Sequence, residues 1–397
     1  MKLRFPLTAL LLASVALAAP QHLHGQFGKL KDAAKKAVEK KVTPPAGAEA
    51  KAPAAEAQAP AGEAHAEAPA DPKVWENYDF VPGNKVLFYT DFSEDKVGNF
   101  ARGLKYKSGP MEVVERDGVK LLRATDRAEF LIPLGGILPE RFTLEFDIIP
   151  PLPRDGDHDM HEMLTFEGGA EVDRGAQSAS VVWMPSLAWI TGGGQHSPAS
   201  NVTTPEALRP ALRNHLAHVR ILMDGAYFKM YANERRLYNI PELPVKRDSV
   251  IRVALNAADD QPVYLTSIRV AESETDVLYD ALAAKGRWST QGILFETGKS
   301  DLKPESRPVL KEIASTLKEH DDLKVLIEGH TDNVGTPASN LTLSEARAAA
   351  VKAALVKDFG IEDGRITTQG FGDTKPAQPN TTSEGRAQNR RVEVVKQ

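Results

Sequence analysis

The chain has 397 residues, 42% of them hydrophobic, a formal net charge of -5 and no cysteine. Its length allows two or three ordinary cores, and its small net charge gives no ground for a nucleic-acid or polycationic partner. The lack of cysteine excludes disulfides, thiolate metal sites, cysteine nucleophiles and the lipid-acceptor residue of a lipoprotein.

In chain order, Lys2 and Arg4 precede the apolar run 7–18, which ends in Ala16-Leu17-Ala18. This predicts a secretory signal peptide over residues 1–19. A membrane span needs about 20 apolar residues; this run is shorter and no other segment approaches that length. The mature protein is expected to be exported, with no transmembrane span. Residues 27–42 place Phe27, Leu30, Ala34, Ala37 and Val38 near one face among lysines, a shallow basic amphipathic helix read as a solvated spacer, with contact to anionic lipid as the alternative. Residues 43–72 are almost only Ala, Pro, Glu and Gly. Without large apolar side chains such a segment predicts a disordered Ala/Pro-rich linker, so residues 20–74 form a basic helix and tether.

Over residues 75–272 the texture changes to short runs of period two. In residues 141–148, Phe142, Leu144, Phe146 and Ile148 are expected to face a core while Arg141, Thr143, Glu145 and Asp147 face solvent. Similar runs occur at 85–89, 111–115, 119–123, 129–132, 180–184, 219–223, 227–231, 250–255 and 264–270. Asp117-Gly118 and Asp224-Gly225 lie between such runs and predict hairpins. This pattern predicts an all-β sandwich or jelly roll. The segment H-V-R-I-L-M-D-G-A-Y-F-K-M-Y-A-N-E-R-R-L-Y at 218–238 resembles the paired strands of laminin-G and concanavalin-like lectin sandwiches. A membrane barrel is disfavoured, because barrel strands run to about 10 alternating residues with aromatic girdles.

From residue 275 the period turns helical and then alternates. Helices are expected at 276–284, 304–320 and 344–358, with Val309, Leu310, Ile313 and Leu317 inward. Strands are expected at 291–295, 323–328, 365–370 and 391–395, the helices crossing back onto one sheet. At 327–351 the chain reads I-E-G-H-T-D-N-V-G-T-P-A-S-N-L-T-L-S-E-A-R-A-A-A-V. Asp332, Gly335, Asn340, Leu343, Ser344, Arg347, Ala348 and Val351 match, at fixed spacing, the signature of the OmpA-like peptidoglycan-binding domain. F-E-T-G-K-S-D-L at 295–302, G-F-G-D-T-K-P at 370–376 and N-R-R-V-E-V at 389–394 agree. The resemblance covers residues 292–395 and implies an α/β (α+β) OmpA-like domain with a mixed sheet and helices over 275–397. Glu296 stands where the family commonly has Asp, which keeps the acid.

Asp332 is expected in the loop leaving a strand and Arg347 one turn into the next helix, so both can face one mouth. A zwitterionic amino acid needs a carboxylate for its ammonium and an Arg fork for its carboxylate. A helix N-terminus would add donors. The alternative for this pair is a surface ion bridge closing the loop. In the family the pair binds diaminopimelate of the peptidoglycan stem peptide, which the resemblance carries onto Asp332 and Arg347, with Thr331, Asn333, Asn340 and Leu343 completing the set. Asn340 is expected just before the helix as a loop-closing residue, with Thr342 or Ser344 as cap. Gly329, Gly335, Gly370 and Gly372 are expected to serve turns.

The rest of the chain offers less. Glu145 and Asp147 share a strand face like a glycosidase pair, but Pro150 stands where a third acid belongs. The loop at 155–162, D-G-D-H-D-M-H-E, has metal-ligand types without a calcium-loop spacing. His215 and His218 point to opposite faces. No metal, cofactor or catalytic residue is therefore expected, and the protein reads as a binder rather than an enzyme. It is expected in the periplasm, associated with cell wall and outer membrane. Peptidoglycan is the implied partner of the C-terminal domain, and a glycan or envelope protein that of the sandwich. The runner-up is a wall-tethered carbohydrate-active enzyme or adhesin.

Overall fold

The computed structural model describes residues 78–149, 164–169, 179–183, 187–192, 202–203, 216–241, 243, 245–273 and 278–397. The expected signal peptide, basic helix and linker, the acidic loop at 155–162 and His215 lie outside the described residues. No described helix is long and apolar enough to cross a membrane.

The first strands are β1 (Lys85–Thr90), β2 (Lys105–Ser108), β3 (Met111–Arg116), β4 (Val119–Ala124) and β5 (Ala128–Pro133). Then come β6 (Arg141–Ile149), β7 (Leu164–Gly168), β8 (Ala179–Trp183), β9 (Leu187–Gly192) and β10 (Val202–Thr203). The last of this half are β11 (Ala217–Asp224), β12 (Tyr227–Ala232), β13 (Arg235–Ile240), β14 (Val250–Leu255) and β15 (Val263–Glu272). One sheet runs β13-β12-β11-β6-β15-β4-β3 with β1 also against β15, and the other runs β10-β9-β8-β7-β14-β5-β2. At β15 the ladder slips between Thr266 and Arg269, and Ser267 takes a φ of 52°. This irregularity lets β15 pair with β4 through Val263–Leu265 and with β1 from Ile268 onward.

Apolar side chains of both sheets share one core. Phe130, Ile132 and Val253 from one sheet meet Leu144, Phe146, Leu265 and Ile268 from the other. The alternation expected in β6 holds on this side, since Phe142, Leu144, Phe146 and Ile148 are all buried. Burying each such side chain stabilises the fold by about 1.5–3 kcal/mol. Turns follow the hairpin logic: Asp117 and Gly118 take φ of 53° and 77° between β3 and β4, and Gly225 takes 61° between β11 and β12. Asn233 and Glu234, also at positive φ, close a further hairpin between β12 and β13.

The other face of β6 corrects the sequence expectation, because Thr143, Glu145 and Asp147 are buried rather than solvated. Residues 78–84 lie over them: Gly83 N donates to Thr143 Oγ1 at 3.0 Å, and Arg269 spans Glu145 Oε1 at 2.5 Å and Gly83 O at 2.6 Å. Arg220 lies 3.3 Å from both Glu145 Oε2 and Asp147 Oδ1, and His218 Nδ1 lies 2.7 Å from Asp147 Oδ1. Burial alone would raise the Asp147 carboxyl, yet His218 and Arg220 hold it below its ordinary value.

The C-terminal half contains α1 (Leu278–Lys285), β16 (Arg287–Thr290), α2 (Arg307–Glu319), β17 (Val325–Gly329), α3 (Pro337–Lys357), β18 (Ile366–Gly370), α4 (Ser383–Asn389) and β19 (Val392–Lys396). Its sheet order is β16-β19-β17-β18, parallel between β17 and β18 and antiparallel elsewhere. Val309, Leu310, Ile313 and Leu317 of α2 are buried as their spacing requires. The strand expected at 291–295 is instead β16, four residues earlier. Trp288 and Thr290 supply its inward face, and Gly292 ends it where a Cβ would sit 2.6 Å from Val309 and 2.9 Å from Pro82. Phe295 keeps only a bridge to Leu302.

The two halves meet in one compact unit. Val81 packs against the C-terminal core, while Tyr78 and Phe80 cluster with Tyr231 of β12.

Candidate functional site

The site is built where β17 and β18 end side by side. Gly329 and Gly370 are register partners, and each lies against α3. A Cβ at Gly329 would come 2.3 Å from Ser344 O, and one at Gly370 would come 2.4 Å from Glu345 N. These two glycines therefore serve close approach of helix to sheet rather than turn geometry, whereas Gly335 and Gly372 do adopt positive φ. The close approach anchors the following loop: Phe371 N donates to Gly329 O at 3.0 Å, Thr331 N to Gly372 O at 2.9 Å and Gly372 N to Ser344 Oγ at 2.8 Å.

Helix α3 begins at Pro337, seven residues before the expected start. Thr336 is its cap, its side chain accepting from Ser339 N at 3.2 Å, and Pro337 occupies the first helical position, where its missing N–H costs nothing. Asn340 consequently lies inside the first turns rather than ahead of the helix. Thr342 Oγ1 bonds back to Ala338 O and Ser344 Oγ to Leu341 O, so neither caps. Arg347 is accordingly near the middle of α3, away from its N-terminal donors.

Asp332 is 8% exposed. Its Oδ1 accepts from Val334 N at 3.0 Å and its Oδ2 from Arg390 at 2.7 Å. Thr331 Oγ1 and Asn340 Nδ2 both donate to the Asp332 carbonyl, at 2.8 and 3.1 Å. Thr331, Asp332 and Asn340 are thus brought together as one buried loop lock, with Asn333 exposed beside it and Leu343 half-buried on α3. Arg347 is not in that lock. Its Nε donates to Lys299 O at 3.0 Å, and its guanidinium carbon stands 4.9 Å from the centre of the Phe295 ring. The surface ion bridge weighed for Asp332 and Arg347 is replaced by Asp332–Arg390. Asp332 and Arg347 still feel one another through space. Burial draws the Arg347 guanidinium below its ordinary value, Asp332 opposing and Arg390 adding to the shift.

Arg390 is the residue that sequence reasoning missed as part of the site. Its N-R-R stretch is a flanking mark, but nothing local says that it reaches a loop 58 positions earlier. Burial works against its charge, yet Tyr89, Asp332 and Asp91 hold its guanidinium above the ordinary value. The arrangement sets two guanidiniums within electrostatic reach of one carboxylate, chemistry that suits a ligand carboxylate with an ammonium nearby.

Below the loop lies a buried cluster of Glu328, His330 and Glu393. His330 Nε2 stands 3.7 Å from Glu328 and 3.9 Å from Glu393, and burial pushes the imidazole down to about 4. Arg391 and Arg287 approach Glu393 at 2.6 and 2.7 Å. Both guanidiniums bond Glu393, and of the two Glu328 Oε2 has only Arg287, at 4.0 Å and without a hydrogen bond; two guanidiniums beside two carboxylates nevertheless leave the cluster no net negative charge for a divalent cation. The cluster instead supports the loop, with His330 N donating to Arg391 O at 3.1 Å and its ring stacked on Phe371.

Fold and site together define an α/β module that presents a rigid, arginine-flanked loop at the ends of two parallel strands. Residues 294–390 match the OmpA family, and this C-terminal domain belongs to it. The chain is 45% identical over 102 residues to outer membrane porin F of Pseudomonas aeruginosa, covering 26% of this chain and 29% of the porin. It is 48% identical over 100 residues to outer membrane protein A of Bordetella avium, covering 25% of this chain and 51% of that protein. Both relatives are therefore matched over less than two thirds of their length. Among solved structures, the peptidoglycan-associated lipoprotein of Burkholderia pseudomallei is 31% identical, covering 31% of this chain and all of that one, with a TM-score of 0.26.

Proposed function

We propose that the C-terminal domain, residues 275–397, binds peptidoglycan non-covalently through diaminopimelate of the stem peptide. It thereby anchors an exported lectin-like sandwich, residues 75–272, at the cell wall. Arg347 and Arg390 take the ligand carboxylate and Asp332 its ammonium, while Thr331, Asn333, Asn340 and Leu343 shape the mouth. The observation that carries this reading is the loop itself: Asp332 is buried and fixed by Val334, Arg390 and Asn340, while Arg347, held through its Nε to Lys299 O and against the Phe295 ring, stands on α3 within electrostatic reach of it. Relatives named as outer-membrane proteins support the compartment. The sandwich engages a glycan or an envelope protein by binding rather than catalysis. Against an enzymatic alternative, Glu145 and Asp147 are covered and committed to Arg220, Arg269 and His218. Co-sedimentation with purified meso-diaminopimelate-type peptidoglycan tests the reading: the full chain should pellet. A chain left in the supernatant while a known wall binder pellets overturns it.

A further inference from the structure

The edge of the two-sheet half is docked onto the element that carries Arg390. Strand β1 pairs with β15 on one side only, and its free edge is met by α4. Val86 N donates to Gln388 Oε1 at 2.7 Å, and Gln388 Nε2 donates to Asn84 O at 2.5 Å, so one glutamine stands in for a neighbouring strand. Arg386 forms an ion pair with Glu94 on the same seam. One residue beyond α4, Arg390 places its guanidinium carbon 5.0 Å from the centre of the Tyr89 ring while holding Asp332. Tyr89 donates to Asp91 at 3.3 Å, and Asp91 is itself fixed by the backbone and hydroxyl of Ser93 at 3.0 and 2.6 Å.

We infer that the ligand site is shared between the two halves. Tyr89 and Asp91 act as positioning residues that hold Arg390 at the mouth, so the two-sheet half sets the affinity of the C-terminal domain. This rests on the wall-binding reading above. The charge at the mouth supports it. Within the C-terminal domain alone, Arg347 and Arg390 face a single carboxylate, and Asp91 supplies the second. A cation over a desolvated aromatic face is held more firmly than one in water, and Tyr89 is a half-buried ring. Burial works against ionisation of Asp91, but the Ser93 hydrogen bonds and Arg390 keep its carboxyl below the ordinary value. Arg390 is therefore held by the Asp332 carboxylate of its own domain and by the Tyr89 ring of the other half, with the Asp91 charge favouring it through space.

Calorimetric titration of a diaminopimelate-containing stem peptide against the full chain tests this. Tyr89→Leu should weaken binding roughly two- to thirtyfold, the range of one cation–π contact. Tyr89→Phe, which keeps the ring, should stay near wild type. Asp91→Asn should weaken binding up to about fivefold, and less at high salt. If Tyr89→Leu fails to fold, Asp91→Asn decides. Wild-type affinity in folded Tyr89→Leu and Asp91→Asn, alongside a loss in Arg347→Ala, overturns the shared site and leaves wall binding standing. An equal loss in Tyr89→Phe and Tyr89→Leu overturns the role of the ring. No titration by the wild type removes both readings.

Discussion

Asp332 and Arg347 differ in what surrounds them, and that difference decides how each can be tested. Asp332 accepts three roles at once: turn closure with Val334, the ion pair with Arg390, and a place in the buried loop. Its removal would disturb the fold as well as the ligand. Arg347 makes one backbone contact and one ring contact, so Arg347→Ala should shift thermal unfolding by about 1 kcal/mol or less. At Gly329 the constraint is steric. Gly329→Ala drives a methyl to 2.3 Å from a helix carbonyl and should cost about 1–3 kcal/mol or more, read as a lowered denaturation midpoint. His330 is a third case. Its imidazole is held down to about 4 from the ordinary 6.5 by burial, so the folded chain binds fewer protons than the unfolded one between those values. The stability is present above pH 6.5 and is lost as pH falls toward 4. An NMR titration should show the His330 ring neutral down to about pH 5; a midpoint near 6.5 would contradict the burial argument.

Between elements, the seam carries a second titration of opposite sign. Glu234, in the β12–β13 turn, is pushed up from 4.5 to about 7 by burial and by Glu305 of the C-terminal half, with which it shares a hydrogen bond. The folded chain therefore binds more protons than the unfolded chain from pH 4.5 to 7, and this contribution is lost as pH rises through about 7. Thermal unfolding of wild type minus Glu234→Gln, compared at pH 5 and pH 8, isolates it, because the His330 contribution is common to both: the wild type should lose stability relative to the variant over that interval. Neither residue is legible as a pair in the sequence, because Glu234 closes a hairpin with a non-glycine residue at positive φ and its partner is remote. The inner face of β6 was legible, since period two needs only one apolar face. Its outer face was not, because Glu145 and Asp147 look solvated until Arg220 and Arg269 arrive from β11 and β15. The motif located Asp332 and Arg347, but it drew attention past Thr336-Pro337, whose cap-and-proline pattern marks the true start of α3. Gln388 and Val86 meet across 302 positions, beyond any local pattern.

Across the molecule, the described residues of the two halves form a docked pair rather than two beads. Residues 78–84 contribute Val81 to the C-terminal core and Tyr78 and Phe80 to the face of the first sheet, so this short segment is clamped by both halves. Val81→Asp should destabilise the C-terminal half although it lies some 200 residues away in sequence, by about 1–3 kcal/mol for a polar group set on a half-buried apolar contact; a calorimetric scan would register it as a lowered transition for that half. The central claim is that the loop after β17 is a ligand site for a zwitterionic wall component. Titration of the diaminopimelate stem peptide into wild type and Arg347→Ala tests it most directly. The account predicts a loss of about thirtyfold or more, equivalent to at least ~2 kcal/mol, with thermal unfolding nearly unchanged. Unchanged affinity in Arg347→Ala would contradict it.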